Sequence, residues 1–240
     1  MSFALIFVVT SVVVVALAGF IKGVPWLFYG LSIVAVVVLF AGVEGYIDGG
    51  WWKPLILLVK RCMLALSLFT IVMFTGALSR ESWLGVRLRS IRSELSIVAC
   101  ILCVGHVCQY LVAYVSRAIA GSLDLQTGAS ICIALVLFVL LIVLGVTSGN
   151  AMKRRMKGVS WKRIQWFAYP FFLLTYVHLM LMIAPAALLG SEQAIVNVAL
   201  YSIVFAAYVI MRLYRYEKDK RARLSAEARG GAGGLAGTEG

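Results

Sequence analysis

The chain has 240 residues, 62% of them hydrophobic and only 13% charged. A soluble domain of this length sits nearer half apolar and a quarter charged, so this composition excludes an ordinary water-soluble fold. The net charge of +12 does not mark a nucleic-acid binder, because the basic residues lie in short segments between apolar runs and in the tail, with no aromatic-interleaved basic domain.

Apolar runs predict helices at 3–21, 26–43, 55–78, 94–116, 129–147, 163–189 and 194–213. Several reach the ~20 residues that cross a ~30 Å hydrocarbon core, and the alternation of a β-barrel is absent. The expected fold is all-α, a polytopic transmembrane bundle of about seven helices in a cell membrane. Two helices would occupy 1–54, a helix bundle 55–213 and a disordered tail 214–240. The first run contains Ala16-Leu17-Ala18, which resembles a signal-peptidase site. Its n-region lacks the usual positive charge, so an uncleaved helix is expected.

Orientation follows from Lys and Arg. Segment 79–93 carries Arg80, Arg87, Arg89 and Arg92, and segment 148–163 carries Lys153, Arg154, Arg155, Lys157, Lys162 and Arg163. The tail from Arg212 and the first connection, with Lys22, are also basic, whereas Glu44, Asp48, Asp124 and Glu192 mark the other side. Seven crossings put every basic segment in the cytoplasm, the N-terminus outside and the C-terminus inside. Trp51, Trp52, Trp161 and Trp166 read as interface markers. After Leu224 the chain turns to Gly and Ala without apolar periodicity.

The chain has two histidines, His106 and His178, both within expected spans. Ligand-type residues at membrane depth are functional candidates; the alternative is a neutral imidazole hydrogen-bonded to a neighbouring helix. His106 lies 14 residues after Arg92 and His178 lies 15 after Arg163, which places both ~20 Å above the same edge at ~1.5 Å per residue. Two imidazoles in one layer on parallel helices can take both axial positions of a haem iron, an arrangement suited to electron transfer. Gly105 is expected to leave room for the flat macrocycle. Lys60 and Arg61 fall in the same layer, where they either pair with haem propionates or snorkel to the interface.

The five cysteines all lie in apolar runs and offer no disulfide framework. Cys100 and Cys103 do not form a CxxCH motif with His106, so helix packing explains them better than covalent haem attachment. P-loop, GxGxxG and zinc-spacing motifs are absent.

The stretch 144–156, LGVTSGNAMKRRM, followed by WKRIQWFAY at 161–169 and then His178, resembles the ferric reductase-like transmembrane domain family. Within it the chain looks most like MsrQ-type haem subunits, which serve a periplasmic methionine sulfoxide reductase. Residues 92–95 (RSEL) and 105–111 (GHVCQYL) resemble that family's earlier His-bearing helix, and the resemblance spans roughly 55–213. It implies that His106 and His178 ligate a single haem b. Gln165 stands where the family commonly has another His, 13 residues before the last, and Arg92 stands where NADPH-oxidase relatives carry one. The inner haem of two-haem relatives is therefore expected to be missing.

The expected function is a b-type cytochrome membrane subunit, an electron-transfer component rather than a complete enzyme, with no catalytic residue of its own. Quinol or a cytoplasmic flavin reductase (quinone or FMN as donor) would supply electrons, and an extracytoplasmic redox protein would accept them. The competing expectation is a non-redox scaffold or small transporter that keeps the fold without haem, for which Pro170 and Asn197 are the candidate intramembrane features. A third is direct ferric or flavin reduction at the outer face.

Overall fold

A computed structural model of the chain describes residues 3–47 and 50–235; Asp48 and residues 236–240 lie outside them. Among these residues there is no strand. The helices are α1 Phe3–Ala16, α2 Ala18–Gly23, α3 Pro25–Val43, α4 Lys53–Lys60, α5 Met63–Ala77, α6 Trp83–Arg89, α7 Arg92–Ile119, α8 Leu125–Ser148, α9 Asn150–Arg155, α10 Gly158–Gln165, α11 Ala168–Leu188 and α12 Glu192–Leu235. A 3-10 turn covers Gly50–Trp52.

Five stretches are long and apolar enough to cross a membrane: Pro25–Val43, Arg92–Ile119, Leu125–Ser148, Gly158–Leu188 and Glu192–Ala222. α1 and α5 are apolar but have only 14 and 15 residues. The first expected run bends at Leu17 without losing its ladder, since Leu17 N–H reaches the Val13 carbonyl at 2.9 Å and Ile21 N–H reaches Leu17 at 2.8 Å. The third run is broken outright at Cys62, whose φ of 56° cannot continue a right-handed helix.

α5 is the most enclosed helix. Its Ser67, Thr70 and Thr75 are buried, and each hydroxyl donates to the carbonyl four residues back, at 2.8 Å in every case. That self-satisfaction makes hydroxyls tolerable in an apolar interior. α5 packs on α1, α7 and α12, α8 packs on both α7 and α11, and α3 covers the outside of α7. Leu39, Val59, Ile91, Leu95, Ala99 and Leu102 fill the α3–α4–α7 side of the core, and Phe3, Phe172, Tyr201 and Phe205 the α1–α11–α12 side. Val12, Val37, Val112 and Val139 are each more than half exposed, an outward apolar surface that lipid, not water, would solvate.

Basic residues gather at one end of the bundle. Arg87 donates to the carbonyls of Val15 (2.7 Å) and Ala16 (3.2 Å), where α1 ends. Arg89 donates to Leu78 (2.8 Å) and Arg212 to Gly76 (3.1 Å), both at the end of α5. Arg89 and Arg212 thereby meet carbonyls at the C-terminus of α5, where a helix leaves them without partners. Burial, then the charges of Arg80, Arg215 and Arg92, push Arg89 below the ordinary guanidinium range, a measure of how closely these side chains are gathered.

Three expectations change. The basic segments 79–93 and 148–163 are not plain loops, since they contain α6, α9 and the start of α10. Ser82 caps α6 by accepting from Gly85 N–H at 3.1 Å, a serine N-cap that a reading by hydropathy passes over. The tail is not irregular from residue 214 or from Leu224: α12 continues to Leu235, because 217–229 is rich in Glu, Lys, Arg and Ala, which favour helix.

Candidate functional site

α7 carries His106 and α11 carries His178, with α5 and α8 packed between the two helices rather than α7 and α11 against each other. His106 Nδ1 lies 2.6 Å from the Lys60 carbonyl oxygen. In an unbroken helix that carbonyl would accept from the N–H of residue 64. The left-handed Cys62 interrupts the ladder, and the imidazole takes the freed acceptor. A carbonyl brings no hydrogen, so in the neutral ring the proton must sit on Nδ1, leaving the Nε2 lone pair available.

His178 repeats the arrangement. Its Nδ1 lies 3.2 Å from the Ser130 carbonyl and 3.0 Å from the Ser130 hydroxyl, in the second turn of α8. With the proton on Nδ1 the ring donates to the carbonyl and leaves Nε2 as an electron-pair donor, whereas the hydroxyl can also donate to an unprotonated Nδ1. The count from Arg163 to His178 crosses a bend at Trp166–Phe167 between α10 and α11.

Backbone-anchored Nδ1 with free Nε2 is the arrangement by which proteins orient imidazole for an iron or zinc. His106 and His178 are therefore the residues here that could ligate an iron. One turn from His106 the Gln109 amide oxygen is buried without a partner, and the Tyr110 ring lies 4.9 Å from the imidazole, centroid to centroid.

Other expected residues fall as follows. Lys60 ends α4 and Arg61 follows it, so both flank the break. Among the described residues no hydrogen bond or ion pair holds either side chain, and it is the Lys60 backbone that touches His106. Arg61 lies within electrostatic reach of Tyr110 and Tyr201. Gly105 does not face the site. A Cβ there would sit 2.7 Å from Val36 Cγ2, so its missing side chain lets α3 approach α7, and the expectation of room for a macrocycle is corrected. Cys100 Sγ contacts the Leu141 carbonyl at 3.8 Å, a packing role.

A second layer lies toward the basic end. Arg92 and Gln165 line one cavity of about 40 Å³ with Phe69, Ser96, Ser148 and Phe171. The Gln165 amide donates to Thr147 Oγ1 at 3.1 Å, and Trp161 Nε1–H donates to the Thr147 carbonyl at 2.9 Å. Neither Arg nor Gln offers iron the nitrogen donor that imidazole does, so this layer lacks a ligand pair. The cavity is polar enough at its rim to hold water.

Sequence reasoning passed over the Lys60 carbonyl, Ser130 and Gln109. Lys60 acts through its backbone oxygen, which leaves no trace in composition, and Ser130 through both its hydroxyl and its backbone oxygen. Gln109 had a signal, an amide at helical spacing from His106.

No protein-family model matches this chain. A protein of Treponema pallidum (strain Nichols), described as an uncharacterized protein, is similar, with 38% identity over 149 residues. The match takes in 61% of this chain and 41% of that protein, so the chain spans about two fifths of the relative's length.

Proposed function

We propose that this chain is a b-type cytochrome membrane subunit of the ferric reductase-like type, closest to MsrQ-type haem subunits. The supporting observation is the pair of imidazoles, His106 and His178, each with Nδ1 anchored to a backbone carbonyl and Nε2 left free. Haem b held there would supply a one-electron iron couple in a low-dielectric layer. His106 and His178 would hold it, with Lys60 O and Ser130 fixing how the rings are turned. Lys60 and Arg61 offer charge to the propionates. Arg92 and Gln165 leave the inner layer without a second ligand pair.

In this reading the chain crosses the cell membrane seven times, with the broken α4–α5 pair as one crossing, the N-terminus outside and the basic end in the cytoplasm. Electrons enter from quinol or from a flavin reductase carrying FMN and leave to an extracytoplasmic redox protein. A methionine sulfoxide reductase is the precedent among the proteins it resembles. Substrate chemistry belongs to that partner.

The broken helix at Cys62 favours a second reading, a small transporter or scaffold without haem, since transporters bind substrate at such breaks. Pro170 does not serve it, because it sits in the first turn of α11. A reduced-minus-oxidised spectrum of the detergent-purified protein separates the two. The cytochrome gives Soret and α bands, lost in His106→Ala and in His178→Ala and retained in Gln165→Ala. A protein without those bands after haem-replete expression is the scaffold or transporter instead.

A further inference from the structure

Two thiols from distant parts of the chain meet at the helix break. Cys62 Sγ lies 3.8 Å from Cys103 Sγ. Cys62 is the residue that forms the break, and among the described residues it alone, apart from glycines, has a positive φ. Cys103 lies three residues before His106, about one turn down α7. The joint between the α4–α5 break and α7 is therefore spanned twice, once by the Lys60 carbonyl on His106 and once by Cys62 on Cys103. Residue numbers rise on one side as they fall on the other, so the two contacts run side by side along antiparallel helices.

The other sulfurs do not share this geometry. Cys100 points at the Leu141 carbonyl, and Cys132 is exposed on the apolar outside of α8. A disulfide needs the sulfurs at ~2.05 Å, so Cys62 and Cys103 have to close by about 2 Å. Side-chain rotation with a small shift at an already interrupted helix supplies that more readily than movement of two intact helices. Both thiols pack against the apolar core cluster, which keeps water-soluble thiols and oxidants away, so an oxidant would have to come from the membrane phase.

We propose that Cys62 and Cys103 form a redox-active dithiol that a membrane quinone oxidises to a disulfide. The two S–H bonds break and one S–S bond forms; both electrons and both protons pass to the quinone, which leaves as quinol. The disulfide ties the break to α7 and holds the Lys60 carbonyl against His106. The dithiol leaves the break free to bend. This centre needs no haem and stands whether or not the cytochrome reading holds.

The test uses the full chain in lipid nanodiscs, exposed to decylubiquinone, then alkylated with N-ethylmaleimide and measured by intact mass and tryptic mapping. Of the five thiols, two should escape alkylation and return after reduction. The peptide that begins at Cys62 should be joined to the one bearing Cys103. Cys103→Ser abolishes the link, as does Cys62→Gly, which keeps the left-handed backbone and so the fold. Cys100→Ser, Cys108→Ser and Cys132→Ser each retain it. Five alkylated thiols after exposure overturn the proposal, and so does a link from Cys62 to Cys100 or Cys108.

Discussion

A missing side chain sets how closely α3 lies on α7. Any Cβ at Gly105 meets the branched Val36 side chain at 2.7 and 2.9 Å, and a β-branched residue has little rotamer freedom with which to yield. Gly105→Ala should therefore destabilise the protein by about 1–3 kcal/mol, the usual range for overpacking, despite the better helix propensity of alanine. Thermal unfolding in detergent reads this directly. Val36→Ala in the same chain should restore most of the loss, and a G105A protein that melts like the parent removes α3–α7 contact as the reason for the glycine. At this scale the sequence was half legible. His106 and His178 were visible as the chain's two histidines, but their partners were not, because Lys60 serves through a main-chain oxygen and Ser130 is one of many serines. Gly105 was legible as a close approach and misread as to what approaches.

Two prolines lie in α11, and the later one leaves a carbonyl without its helical donor. Pro170 sits in the first turn, and the Trp166 carbonyl accepts from Tyr169 N–H at 3.1 Å. Pro185 lies inside α11 and frees the Leu181 carbonyl, which accepts instead from the Gln126 side chain in the first turn of α8. That bond crosses between helices in a low-dielectric setting, where such bonds contribute roughly 0.5–2 kcal/mol. Gln126→Leu should lower stability by about that amount in the parent protein. In a Pro185→Ala background, where residue 185 regains an N–H for Leu181, the same change should cost much less. A double-mutant cycle on detergent unfolding measures the difference, and equal costs in both backgrounds would show that Gln126 does not answer to the proline. Elements of this kind are partly legible. Apolar runs located the helices, whereas the break at Cys62 has neither Gly nor Pro to announce it. A cysteine in the left-handed region is held there by its surroundings: the His106 bond, the neighbouring Cys103 and the packing of Val59 and Ala65. Tertiary contacts of that sort have no local signature.

Charge organises the whole molecule more than its length does. α1 and α5 span only ~21–23 Å at ~1.5 Å per residue, short of a ~30 Å hydrocarbon core, so counting long helices alone does not decide which end faces the cytoplasm. Both helices end where Arg87, Arg89 and Arg212 take their last carbonyls, which brings the ends of α1, α5 and the apolar part of α12 to one level. α7 begins at the same level with Arg92, and Arg212 also bonds the Tyr169 hydroxyl near the start of α11. Three helix ends and two helix starts thus share a basic layer, the one that the proposed topology puts in the cytoplasm by the positive-inside rule. Green fluorescent protein fused after residue 240 should then fluoresce, and alkaline phosphatase fused there should be inactive. Alkaline phosphatase inserted at Gly121, in the turn between α7 and α8, should be active. The reverse pattern would mean that the basic layer faces outward and the whole bundle is inverted, which would move His106 and His178 to the opposite half of the bilayer from the one an extracytoplasmic acceptor requires.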